Sequence, residues 1–165
     1  MDSPYNWVVF LHVVGAFTFV LAHGVSAGVA LKLRHEREIP RVQALLDLSN
    51  TATQGLYVGL LILLIGGITA AFMAGFWGRG WIWTAIALLV LMIAFMWVRA
   101  SRYYGEVRRA SGLAYYILGK GSGAPIAPNT AELERLLESS RAMELAAVGT
   151  IGLVAIIWLM VMKPF

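Results

Sequence analysis

Four stretches of the chain stay apolar for far longer than the face of a soluble helix requires, and the polar residues gather between them. The first runs over 5–33 and stops at the charged cluster Lys32, Arg34, His35, Glu36, Arg37 and Glu38. Pro40 suits the first turn of a new helix. Over 40–54 the pattern is amphipathic, with Val42, Leu45 and Leu46 on one side and Gln43, Asp47 and Asn50 elsewhere. This segment leads into a second apolar run at 55–75. The short turn 75–80 makes the second and third helices antiparallel neighbours, and the third run covers 81–104. Residues 111–128, with Gly119, Gly121, Gly123, Pro125 and Pro128, form a loose connection. Asn129 or Thr130 caps a fourth helix over 130–162, with Glu132 and Glu134 in its first turn and a membrane part at 144–162. Leu133, Leu136 and Leu137 form an apolar stripe ahead of that part.

About 20 apolar residues in a helix cross the roughly 30 Å hydrocarbon layer of a bilayer. Lipid offers backbone amides no partners, so each crossing must satisfy its own hydrogen bonds. The runs are too long, and alternate too little, for barrel strands. The expected fold is therefore all-α: a transmembrane four-helix bundle forming one domain over 1–165, with the second to fourth helices extended into the cytoplasm. Composition agrees, at 59 % hydrophobic and 13 % charged residues. The first run follows Asp2, has no basic residue before Lys32 and is too long for a signal peptide, so it reads as a retained helix.

The net charge of +4 reads as orientation rather than as nucleic-acid binding. Lys32, Arg34, Arg37 and Arg41 lie in one connection, and Arg99, Arg102, Arg108, Arg109, Lys120, Arg135 and Arg141 in another, which leaves only Arg79 and Lys163 on the opposite side. By the positive-inside rule both connections are cytoplasmic and both termini face outward. Tyr5, Trp7, Phe76, Trp77, Trp81, Trp83 and Trp158 form an aromatic belt at the outer surface, and Trp97, Tyr103 and Tyr104 one at the inner surface. Gly24/Gly28 and Gly55/Gly59 are small-xxx-small pairs of the kind that let helices approach closely.

Candidate chemistry centres on His12 and His23. They are eleven residues apart, which places them within about 20° of one face and about 16 Å apart along the helix. Ionisable residues inside a membrane helix face the bundle interior and mark candidate sites. Each imidazole could instead simply bond to a hydroxyl or carbonyl of a neighbouring helix. As ligands they suit b-type haem or copper. Two bis-histidine haems would need four histidines in the lipid, so the chain could hold one haem through His12 and another ligand type, or share one across a homodimer. Met160 and Met162, with Met73, lie at the outer ends of their helices, where soft thioethers beside His12 would suit copper; as gap fillers they need no metal. Arg99 and Glu144 should stand at similar depth near Gln54 and pair as a structural ion pair.

Other chemistry is excluded. The chain has no cysteine, hence no disulfide, thiolate site or C-x-x-C-H haem attachment. The segment 118–123 lacks the phosphate-loop spacing, and neither H-E-x-x-H nor G-x-S-x-G occurs. No catalytic constellation emerges.

At Leu11-His12-Val13-Val14-Gly15-Ala16 the chain resembles a group of small bacterial membrane proteins. The group includes the copper-resistance protein D type, a related family of predicted four-helix integral membrane proteins of unassigned function, and haem-binding membrane protoporphyrinogen oxidases. The ending Trp158-Leu159-Met160-Val161-Met162-Lys163-Pro164 resembles the unassigned family. The resemblance implies that His12 occupies the place of an axial haem ligand. Phe19-Val20-Leu21-Ala22-His23-Gly24 departs from the W-x-G-G-like stretch of the oxidases. The expectation is thus a multi-pass membrane protein, haem-binding or redox-associated, with His12 as candidate axial ligand and His23 second. The alternatives are a non-catalytic accessory subunit of a membrane complex, or copper binding or transport at the outer face.

Overall fold

The computed structural model describes residues 3–165, so Asp2 lies outside the described residues. Four helices are long and apolar enough to cross a membrane. Helix α1 spans Pro4–Leu33, α2 Ile39–Met73 and α3 Gly80–Ala110. A hairpin of β1 (Tyr115–Ile117) and β2 (Gly121–Gly123) follows, then α4 (Thr130–Glu138) and α5 (Arg141–Met162). The side chain of Ser3 accepts from the amide of Tyr5 at the start of α1, and Asn129 accepts from the amide of Glu132 at the start of α4. In the tight turn between α1 and α2 the Glu36 carboxylate accepts from the amides of Glu38 and Arg37, and these bonds hold its carboxyl below the usual glutamate range.

The helices surround no single thick core. Large apolar side chains point outward along their length: Leu21 is 68 % exposed, Leu91 67 % and Ile151 70 %. Water would penalise such surfaces by about 25 cal/mol per Å², whereas hydrocarbon does not. The fold therefore fits a multi-pass membrane protein. Basic residues collect at one end, where α1 ends and α5 begins; the opposite, terminal end carries Trp81 and the end of α5.

Packing is tightest at the basic end. There Val29 and Leu33 of α1 meet Val42 and Leu46 of α2, Tyr103 and Val107 of α3, Leu133, Leu136 and Leu137 of α4, and Leu145 of α5. The amphipathic lead-in and the leucine stripe thus bury their apolar sides together. Polar ties surround this core. Arg109 reaches Glu132 at 2.6 Å, Arg108 reaches Asp47 at 2.9 Å, and Arg141 and Lys120 both approach Glu106. At the terminal end Trp81 packs with Ala71, Ile82, Ala85 and Leu159, and the Lys163 ammonium lies 5.0 Å from the Phe76 ring centroid.

Helices α1 and α2 are pressed together through glycine. A Cβ on Gly59 would lie 2.6 Å from the Phe19 amide nitrogen, and one on Gly66 would lie 2.8 Å from that of His12. Gly55 is looser, 3.8 Å from Ala22 Cβ. Gly24 and Gly28, expected as an approach pair, have nothing within 4 Å.

Three further expectations are corrected. The connection 111–128 is not wholly loose: Tyr115 pairs with Gly123 and Ile117 with Gly121. Ile117 is buried, and the hairpin sits on Gly105, where a Cβ would lie 2.8 Å from Ile117 Cγ1. The fourth helix is broken at Ser139, which is extended; its hydroxyl donates to the Leu136 carbonyl while the Ser140 hydroxyl bonds to Glu144. Such serine bonds compete with the helical ladder. Finally, α2 and α3 are joined by a short turn but touch at few points. Instead α1 packs on α2 and α5, and α3 packs on α5.

Candidate functional site

The gap between α2 and α3 is a cleft of about 330 Å³. Leu56, Leu60 and Tyr57 line it from α2, Met92, Ile93, Met96 and Trp97 from α3, and Leu145, Ala146 and Gly149 from α5; Phe19 and His23 of α1 contribute as well. Its composition changes along its length. Towards the terminal end it is apolar. Towards the basic end come Ser49, Asn50 and Thr53 on α2, and Ser101, Tyr104 and Arg108 on α3. A second hollow, of about 380 Å³, adjoins it and shares Asn50, Ser101, Tyr104 and Arg108 as walls, adding Tyr115 and Tyr116 of the hairpin.

Among the described residues His23 is the only histidine in the cleft wall. Its Nε2 is enclosed and has no hydrogen-bond partner among the described residues. The ring is set edge-on to α5, where a Cβ on Gly149 would lie 2.5 Å from Nε2. Glycine at 149 is what makes room for the imidazole.

His12 is placed differently. Its Nδ1 lies 2.8 Å from the Leu63 carbonyl oxygen and so donates to it, which assigns the lone pair to Nε2. A metal-ligating imidazole is commonly tied to a carbonyl in this way. The ring rests on Gly67, whose Cβ position would be 2.8 Å from Nδ1. His12 does not line the cleft. The two histidines share a face of the helix by angle, yet His12 addresses α2 and His23 addresses α5, because α1 lies between those helices. They do not converge on one site.

Arg99 and Glu144 stand 3.7 Å apart, with side chains 56 % and 50 % exposed. So exposed a pair stabilises by about 0–1 kcal/mol. Met160 packs against the Trp81 cluster, and Met162 is 63 % exposed. Among the described residues no three His, Asp or Glu side chains gather closely enough to hold a metal ion.

The cleft's polar wall was not among the sites expected from the sequence. The signal was available: Ser101, Tyr104 and Arg108 recur at i, i+3 and i+7, and Ser49, Thr53 and Tyr57 at i, i+4 and i+8. Each set lines one face of a helix, but nothing in the spacing shows that the two faces meet across a gap. Comparison with family models, with curated proteins and with solved structures finds no match for this chain.

Proposed function

We propose that the chain is a membrane-embedded binding protein whose site is the cleft between α2 and α3, entered sideways from the bilayer by a lipophilic molecule. One observation carries this reading: two long helices that a short turn should hold together stand apart along a lined cavity, with His23 in its wall. In this reading the basic end lies in the cytoplasm and both termini lie outside, as the distribution of Lys and Arg favours, and the membrane is the bacterial inner (plasma) membrane, as the family resemblance suggests.

Haem b is the specific occupant suggested by the histidines and the family resemblance. The donor types suit it: an imidazole from α1 stands in the same cavity as the thioethers of Met92 and Met96 from α3. The placement of the ring does not, because Nε2 lies against Gly149 and leaves no space for iron there. No step is therefore assigned to haem.

The test is to purify the full chain in mild detergent, extract it with solvent and identify what is carried along. The reading expects a lipophile in near-stoichiometric amount, lost when the cleft is filled by Ala100→Trp on its α3 wall. A protein that carries nothing, or that binds equally well with the cleft filled, contradicts it. An absorption spectrum of the same sample decides the occupant: a Soret band that disappears in His23→Ala identifies haem, and one that disappears only in His12→Ala moves the site out of the cleft.

A second reading, an accessory subunit or homodimer, is favoured by Gly24 and Gly28, which face open space beside exposed Leu21 and Val25. Bulky residues at both positions should then lower the assembled mass measured in detergent.

A further inference from the structure

The two adjoining hollows form one passage. From Met92 to Arg108 it follows sixteen residues of α3, about 24 Å at 1.5 Å per residue. One leaflet including its head groups is about 20–22 Å thick, half of a 40–45 Å bilayer. The passage thus matches the length of a single leaflet, with its apolar walls toward the bilayer centre and its polar walls at the basic end. Among the described residues no carboxylate lines either hollow, and Arg108 is the one charged residue in both. Its Nη1 bonds to Asp47 at 2.9 Å and its Nε to the Ala114 carbonyl at 2.9 Å, while Nη2 has no acceptor among the described residues. An arginine with free donors beside Asn50 and Ser101 is suited to phosphate oxygens, which accept in the fork geometry that guanidinium presents.

We propose that the cleft takes an acidic glycerophospholipid from the leaflet at the basic end, with its phosphate head at Arg108, Asn50 and Ser101 and its acyl body passing His23 towards Met92 and Phe19. The proposal rests on the cleft reading and names the chemistry of its ligand. Asp47 competes with the head group for the same guanidinium, so the ion pair that links α2 to α3 at the mouth is loosened when the lipid binds.

Native mass spectrometry of the full chain in detergent, titrated with phosphatidylglycerol and phosphatidylcholine of identical acyl chains, tests this. Wild type should retain the acidic lipid about fivefold over the zwitterionic one. Arg108→Gln should bring the ratio to about one, and Arg108→Lys should leave an intermediate ratio. Asp47→Asn breaks the same ion pair but frees Arg108, so it should raise the ratio. If Arg108 serves only the ion pair, Arg108→Gln and Asp47→Asn must act alike, and that result overturns the proposal. Equal retention of both lipids by wild type overturns it too, while a loss of both lipids in Ala100→Trp would show that the cleft itself still binds. If Ala100→Trp leaves both retained, the cleft reading fails and the proposal with it.

Discussion

Gly149 and His23 are a matched pair on facing helices, and the match is testable on its own. A methyl group at 149 must displace the imidazole, since it would stand 2.5 Å from Nε2. Gly149→Ala should destabilise the bundle by about 1–3 kcal/mol, the range for overpacking a close-packed site. In a His23→Ala background the same change should be nearly free, giving a coupling well above about 0.5 kcal/mol in a double-mutant cycle. Reversible unfolding in mixed micelles measures it, and additive effects would show that the ring does not sit on Gly149. Residue chemistry was partly legible in the sequence. An imidazole in an apolar run was plainly worth notice, and the Arg99–Glu144 proximity followed from depth alone. The partners of each histidine were not legible, because a helical angle of about 20° does not decide which of two flanking helices a ring meets. His12 found the Leu63 carbonyl and His23 found a glycine.

The helices themselves follow from lipid as a solvent, and their long apolar runs announce them. Where they stop and how they pair depends on smaller features. A pair of adjacent serines breaks the fourth helix at Ser139, and glycines with positive φ at 119 and 121 allow the hairpin. Neither is a periodicity, so neither stands out from an apolar pattern. Close approach is equally local: Gly59 is in contact, whereas Gly28 looks the same in sequence and faces open space. Gly59→Leu should therefore cost at least about 2 kcal/mol by forcing α1 from α2. Gly28→Leu should stay within about 0.5 kcal/mol, as an exposed substitution does. Equal effects in the same unfolding assay would mean that the α1–α2 contact is not built on Gly59.

In the whole molecule, tight packing and open space are divided between the two helix pairs. A buried core at the basic end draws on all five helices, and α1 is clamped to α2, yet α2 and α3 stand apart along the cleft. This division is what makes a binding protein the preferred reading over a passive bundle. A binding protein of this kind must meet its bound molecule with one particular side of α2. Leu60 lines the cleft, and its neighbour Leu61 is 60 % exposed on the outward side. Replacing each in turn with a diazirine-bearing leucine analogue, then washing the protein free of loosely held lipid before illumination, separates the two. A covalent lipophile adduct is expected at position 60 and little or none at position 61. Equal labelling at both positions, or labelling at 61 alone, would contradict it.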